Sequence, residues 1–590
     1  MFYLFFALGL LTRVVFIPLA GFKADVAFWK GWGLAAADKG VLWMMTSTNY
    51  NYPPGFSYIL WLINKIYAFF KDPYNINDYW VDDNVFYLFL LKLITIAADL
   101  LVVFLIIKFS QKVQQQKLGK ILALFYFLNP AVIYDGVIWG QVDQLGFALF
   151  FLSAYLLLKE KPYLASVVFT ISFLMKFQNI IFIPLFYLFI WKKFSYKELV
   201  SSLTISFITF VIVILPFFLN KQADRLIWLL TINSDWFPWY SLNAFNGWWI
   251  ASGLNGMGLT DKHLVFGITS AKQFGLFMFI FAYFIAVVTI VTSKKEELFK
   301  NFILACTLAV FVFFHLLTQS HERYLFPAMG LLLVLGSYMT YKTNKTNWRA
   351  YMPFSIFYLL VSIFFFLNMY LSMGWNYPDQ VIPTFTREQT LGLSWWISLI
   401  QMILFIIFFF WFLKDILVKK IFVIGGFGLF VLLALLVKNG SYFLGKQVSL
   451  TSLKPISYRQ DYLQPVYGKT VESDRGTNYW NRLSVNYYFY EGGIGSHADS
   501  DITYHLAKKF SKFSTDFGID TEGEQSAKVY FSIWADGKEL FKSEVKGRFD
   551  IPGTKTVDVR EVNYLTLKIN KDTATNFGAH ADWLNPVLVK

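Results

Sequence analysis

The sequence predicts a polytopic α-helical membrane protein of about 13 transmembrane helices that ends in an all-β sandwich. Three observations lead there. Hydrophobic residues make up 56% of the 590 positions and charged residues only 15%, where a soluble domain carries about 25% charged residues. Apolar runs approaching the roughly 20 residues that cross a bilayer recur along most of the chain. After Lys438-Asn-Gly440 those runs give way to short alternating segments bounded by turns.

By length and apolarity the expected spans lie near 2–19, 86–107, 118–134, 144–158, 162–175, 178–191, 199–219, 273–292, 301–319, 324–341, 350–372, 391–413 and 420–438. Those at 118–134, 144–158, 162–175 and 178–191 are short, so broken or re-entrant ends are expected. The first run has no small-residue cleavage site behind it and Arg13 interrupts it, which favours an uncleaved span over a signal peptide. The net charge of +14 lies entirely in the first 450 residues. From Thr451 onward 18 basic residues face 18 acidic ones. Nucleic-acid binding is therefore a poor reading of the high pI.

The basic residues orient the chain instead. Lys108/Lys112/Lys117/Lys120, Lys159/Lys161, Lys192/Lys193/Lys197, Lys294/Lys295/Lys300, Lys342/Lys345/Arg349 and Lys414/Lys419/Lys420 occupy alternate loops. The positive-inside rule makes those loops cytoplasmic, which puts the N-terminus inside and the C-terminal tail outside. The run 55–70 breaks this parity if counted as a span. The loop after it is acidic (Asp72, Asp78, Asp82, Asp83), so 55–70 reads as an interfacial helix within one external loop, 20–85. Trp61, Asn64, Lys65 and Tyr67 suit the headgroup level. The single cysteine, Cys306, excludes any intrachain disulfide or Cys-based metal site.

Charges at membrane depth are costly and mark function by default. Arg13, Lys92 and Asp99 are expected to pair with one another or snorkel. The others gather towards one face: Asp25 in the first external loop, Asp135 and Asp143 in Asn129-Pro-Ala-Val-Ile-Tyr-Asp-Gly-Val-Ile-Trp-Gly-Gln-Val-Asp-Gln144, Lys176 in Met175-Lys-Phe-Gln-Asn179, and Glu322 and Arg323 in Gln319-Ser-His-Glu-Arg-Tyr-Leu-Phe-Pro327. Carboxylates and cations from distant segments then meet at one membrane face, a pattern suited to a lipid-linked phosphate meeting a polar substrate. For any lone charge at a span end, the plainer reading is a solvated anchor.

With these motifs, together with Tyr50-Asn-Tyr-Pro-Pro54 and Asn243-Ala-Phe-Asn-Gly-Trp-Trp249, residues 1–440 resemble the GT-C superfamily of polyprenyl-phosphate-sugar-dependent glycosyltransferases. The nearest branch is the bacterial relatives of the GPI-anchor mannosyltransferases. The resemblance implies a GT-C-like fold and a hexosyltransferase that moves a sugar, mannose for instance, from a polyprenyl-phosphate donor to an external glycan, lipid or protein acceptor with inversion. It implies Asp25 as general base. Asp143 either binds sugar hydroxyls or assists Asp25. Lys176 and Arg323 are expected to face the donor phosphate, with His321, Glu322, Gln141, Gln144 and Gln178 binding substrate beside them. No cofactor is required by this pattern, although Asp25, Asp143 and Glu322 leave a divalent cation as an option. The expected setting is the cell membrane, with the catalytic face and the C-terminal domain extracellular. One departure stands out. Other branches carry an adjacent acidic pair where this chain has Asp25 alone, which leaves sugar and acceptor open.

In the tail, Val529, Phe531 and Ile533 alternate on one face, Asp536-Gly537 is a hairpin turn, and Asn563–Ile569 reads as a further strand. Residues 441–468 read as a linker and 469–590 as a β-sandwich. On Gly493-Ile-Gly-Ser-His-Ala498, Phe513–Asp520 and His580-Ala-Asp-Trp583 the tail resembles the NPCBM type of carbohydrate-binding module, which implies a galactose-binding-like sandwich. The candidate sugar ligands are His497, His580, Asp582 and Trp583, with Tyr487, Tyr488 and Tyr490 as a second set. The alternative is that these motifs close the sandwich and Trp583 sits in its core. A different function class, a transporter or flippase of a lipid-linked sugar, stays open beside the enzyme. Transporters tend to show internal repeats with broken helices at midplane, and the sequence shows no such repeat.

Overall fold

The computed structural model describes residues 1–590 except 232–236, 260, 262–263, 266–268, 342–351, 381–384, 439, 441–445, 472–482, 487 and 491. The chain divides into two compact units. One comprises 1–233, 241–254 and 278–428; the other comprises 234–240, 255–277 and 429–590.

Among the described residues, seven helices are long and apolar enough to cross a membrane by length and composition, or eight if the bent pair Gln116–Phe127 and Pro130–Trp139 counts as one span. Four further apolar runs fold as helices below 18 residues: Phe2–Phe16, Asp143–Leu158, Pro162–Met175 and Pro327–Tyr338. The run at 178–191 is split between a 3₁₀ turn, Phe177–Phe182, and the short helix Ile183–Lys193. The segments read from sequence as short are short or broken, and so are the first run and the one expected at 324–341. The basic loop containing Lys342, Lys345 and Arg349 lies outside the described residues.

The elements that carry the site are α1 (Phe2–Phe16), α2 (Lys23–Lys39), α3 (Pro54–Phe70), α4 (Val85–Lys112), α5 (Asp143–Leu158), α6 (Pro162–Met175) and α7 (Tyr196–Leu219). The expected loop 20–85 is largely helical. In α3, Phe56, Leu60, Ile63 and Tyr67 are fully buried at i, i+4, i+7 spacing beneath α2, while Tyr58, Trp61, Leu62, Ile66 and Phe69 on the other side are exposed.

Two of the intramembrane cations have structural partners. Arg13 binds Asp99 through Nε (2.9 Å) and Nη2 (2.8 Å), donates from Nη1 to the Phe127 carbonyl (2.6 Å) and lies over the Phe127 ring. Tyr126 donates its hydroxyl to the same Asp99 (3.0 Å). Lys92 instead donates to the carbonyls of Ile17 and Leu19, just past the end of α1 (3.0 and 2.5 Å). These carbonyls have no further helical turn to accept from, so the ammonium caps them.

The C-terminal part of the other unit is a sandwich of two antiparallel sheets. Its main strands are β1 (Gln447–Ser449), β2 (Ser457–Gln460), β3 (Val466–Tyr467), β4 (Gly493–His497), β5 (Ser500–His505), β6 (Lys512–Ile519), β7 (Lys528–Ala535), β8 (Lys538–Lys542), β9 (Gly553–Asp558), β10 (Tyr564–Lys571) and β11 (His580–Val589). One sheet runs β9-β6-β11-β4-β3 with β1 also on β11; the other runs β8-β7-β10-β5-β2. Val529, Phe531 and Ile533 of β7 face the core as their alternation requires. The segment expected as a linker is corrected here: β1, β2 and β3 pair with β11, β5 and β4 respectively. Their apolar content is too low to show alternation, and the partner strands supply the register.

Candidate functional site

Helix ends build the site. Asp25 lies in the first turn of α2 and Asp143 is the first residue of α5. Both carboxylates therefore stand at the positive dipole end of a helix. Lys176 directly follows α6, where a cation is favoured for the opposite reason. Preceding Asp143, residues Tyr134–Trp139 form a π turn that Gly140 ends in a left-handed conformation (φ 86°), turning the chain back towards Gln141. The first loop is fastened to that turn. The Phe22 amide donates to the Trp139 carbonyl (2.9 Å) and the two rings stack at 5.1 Å. Gly21 (φ 77°) makes this approach feasible, since a Cβ there would stand 2.4 Å from the same carbonyl oxygen.

These contacts bring the residues from five distant segments together. Gln141 donates its amide to the Asp25 carboxylate, and its Oε1 lies 3.4 Å from the Lys176 ammonium. Asp143 is fully buried and ion-paired with Lys176 (3.0 Å) and with Arg323 Nε (3.4 Å), while Gln178 donates to it at 2.8 Å. Arg323 also grips Glu322 (2.7 Å). His321 stands 3.9 Å from Glu322, and the His321 segment is held by the Ser320 carbonyl, which accepts from the Leu242 amide (2.8 Å). The motif Tyr50–Pro54 enters the cluster through Tyr52, whose ring centre is 5.1 Å from the Lys176 ammonium.

Electrostatics sort the groups. Burial pushes the Asp25 carboxyl above the usual aspartate range, opposed by the charges of Arg323 and Lys176. Burial likewise raises Glu322, against the pull of Arg323. Burial holds His321 well below the ordinary histidine value, and Arg323 and Lys176 add to the effect, so the imidazole is neutral at neutral pH. Asp25 is only partly buried, whereas Asp143 is fully buried. A partly exposed carboxylate with a raised pKa is suited to accept a proton. One enclosed by two cations and an amide donor is suited to hold those cations in place.

One expected ligand is set back from the cluster. Gln144 is wholly buried against Gly136, with its amide on the Val132 carbonyl (3.4 Å), which seats it behind the π turn. Asp135 is also fully buried. Among the described residues, no group of three or more His, Cys, Asp or Glu side chains is arranged to hold a metal ion. Asp143 and Glu322 are each ion-paired with Arg323, and Asp25 accepts from the Gln141 amide. Tyr52 is the site residue that sequence reasoning passed over: its motif was recognised, but an apolar-looking ring gives no signal of a charged neighbour.

In the sandwich, Trp583 is a correction. It is fully buried, packed on Phe517 and Phe531 at 6.0 and 5.1 Å, and so cannot stack on a sugar. Its place on β11 alternates inward with the core. His580 and His497 face each other across β11 and β4 with rings 5.1 Å apart, and Tyr462 lies over both. Asp582 is buried against Asp520. Tyr490 packs on Leu483, Val485 and Leu584, and Tyr488 lies beside that cluster. Tyr487 lies outside the described residues.

Comparison with known proteins divides the chain in the same place. The family model described as NPCBM/NEW2 domain matches residues 446–589. A putative endo-alpha-N-acetylgalactosaminidase of Renibacterium salmoninarum is 33% identical over 96 residues, 16% of this chain and 6% of the relative, so the chain spans a small fraction of that protein. Among solved structures, CBM51 from Clostridium perfringens GH95 in complex with methyl-galactose aligns with 24% of this chain and 99% of its own, at 22% identity and a TM-score of 0.22. ArnT from Cupriavidus metallidurans in the apo state aligns over 69% of this chain and 75% of its own, at 12% identity and a TM-score of 0.39. The NPCBM/NEW2 match at 446–589 thus takes in all three strands of the expected linker.

Proposed function

We propose that the protein is a membrane hexosyltransferase that moves a sugar from a polyprenyl-phosphate donor to a glycan or glycolipid acceptor at the outer face of the cell membrane. The observation that carries this reading is the meeting of Asp25 with Lys176 and Arg323 through Gln141 and Asp143. It puts a partly exposed proton acceptor near two fixed cations, and the sequence motifs that supply these residues are those resembling the GT-C superfamily. Asp25 accepts the proton of the acceptor hydroxyl as its oxygen attacks the anomeric carbon. The bond from that carbon to the phosphate oxygen breaks, and Lys176 and Arg323 stabilise the charge on the departing polyprenyl phosphate. Asp143 holds the two cations as their counter-ion, and Glu322 holds the far edge of Arg323. Inversion follows from a single displacement.

The exposed apolar face of α3 rests in the outer leaflet in this reading. The Phe70 ring meets Phe86 at the start of α4, and the Tyr58 hydroxyl reaches the Val213 carbonyl of α7 (3.5 Å), so that face continues the lipid-facing sides of two spans. The NPCBM/NEW2 domain holds a glycan outside, which raises acceptor concentration without altering the chemical step. His497 and His580 are its ligand candidates. The test supplies the purified protein with a panel of polyprenyl-phosphate hexoses and candidate glycan acceptors. Transfer by the wild type, reduced at least about a hundredfold in Asp25→Asn, is the expected result. Equal activity in the variant removes Asp25 as base, and movement of labelled donor across liposomes with no acceptor favours a flippase.

A further inference from the structure

We propose that Tyr52 is a positioning residue whose ring orients Lys176 beside the Gln141–Asp25 pair. The inference rests on the donor-phosphate reading of Lys176 given above. Three contacts surround the Lys176 ammonium. Asp143 is at 3.0 Å, Gln141 Oε1 at 3.4 Å, and the face of the Tyr52 ring at 5.1 Å. An ammonium on a flexible four-carbon stem has three donors and no intrinsic orientation. The two oxygens and the ring together restrict it to one, and the ring does so without neutralising the charge as a third carboxylate would.

The ring is itself immobile. It packs on Phe56 at 5.2 Å and edge-on to Trp29 at 6.3 Å, between Tyr50 and Trp32. Gln141 is the common member: the same side chain touches Asp25 and Lys176. The ring that orients Lys176 therefore also bears on the Gln141–Asp25 contact. Pro53 and Pro54 fix the backbone behind it, with Pro54 opening α3.

Substitution tests the ring. Tyr52→Phe keeps the ring and the packing, so the donor KM is expected to stay unchanged. Tyr52→Leu removes the ring, and the donor KM is expected to rise about tenfold, the scale of a desolvated cation–π contact. A Tyr52→Leu enzyme with wild-type KM and kcat overturns the proposal, as does an equal rise of donor KM in both variants. Thermal midpoints of both variants identify any loss that comes from unfolding, and Tyr52→Phe retains the contacts with Phe56 and Trp29.

Binding of polyprenyl phosphate without sugar separates this inference from the proposed activity. Measured for wild type, Tyr52→Leu, Lys176→Ala and the double variant, the losses are expected to be non-additive because both single changes disable one contact. Non-additive losses in a protein that transfers no sugar retain Tyr52 and discard the transferase. Additive losses in an active transferase do the reverse.

Discussion

Replacing Asp143 by Asn separates a counter-ion from a reacting group. The carboxylate is completely buried between Lys176 at 3.0 Å and Arg323 at 3.4 Å. At an effective dielectric constant near 20 those distances correspond to gross attractions of about 5.5 and 4.9 kcal/mol, much of which offsets the desolvation of three buried ions. Removing one partner of a buried pair costs about 3–5 kcal/mol. Asparagine still accepts from Gln178, so the lower end, about 3 kcal/mol, is expected. The variant leaves two cations under-neutralised, and a bound phosphate restores part of the missing charge. Thermal unfolding in nanodiscs, with and without polyprenyl phosphate, should show a lower midpoint that the ligand raises more than it does in wild type. Its affinity should tighten about tenfold, equivalent to about 1.4 kcal/mol. Lost transfer with an unchanged midpoint and unchanged polyprenyl-phosphate affinity would refute the counter-ion argument and make Asp143 a group that touches the sugar.

Two further predictions concern other parts of the chain. Asp582 and Asp520 share a buried site where burial and, for Asp582, the neighbouring carboxylate raise the carboxyls above the ordinary value of 3.8. A raised folded-state value means the folded state binds the extra proton. Its stabilisation is complete below about pH 3.8 and is lost as pH rises through the folded-state values. Hydrogen exchange of β6 and β11 in the full chain, corrected for intrinsic rates, should accelerate over that rise, and Asp582→Asn should flatten the profile; a flat wild-type profile contradicts the argument. A nitroxide on Phe69→Cys should collide more with oxygen than with a water-soluble nickel chelate, and one on Asp72→Cys the reverse. Both sites are exposed, and the native Cys306 is buried. Chelate access at position 69 would take α3 out of the leaflet.

What could be read from the sequence follows from how each feature is encoded. A charge within an apolar run is visible because it is expensive, so Asp25, Asp143, Lys176 and Arg323 were legible as a group before their contacts were. Their difference in exposure was not: Asp25 and Asp143 are the same residue type at the same kind of helix end, and only their folded neighbours separate them. Trp583 reads equally well as a stacking platform or a core residue, and only its neighbours Phe517 and Phe531 decide between them. The strands β1–β3 are short and polar enough to pass for a linker, because the sheet edges they join determine their conformation. Tyr52 was inside a recognised motif without a role, since a cation–π contact is made between segments over a hundred residues apart.

The π turn at Tyr134–Trp139 makes segment length a determinant in its own right. Such a turn holds one residue more than an α turn in the same axial space. Deleting any one residue from it would let the segment close as ordinary helix, with most side chains still present. Each residue of helix advances the direction of the chain by about 100°, so Gln141 and Asp143 would leave the cluster by rotation alone. Arg323 and Lys176 would then face each other without a carboxylate between them. Scanning this segment by single-residue deletion therefore probes the site more severely than alanine substitution can, and a compensating insertion before Gly140 should restore it.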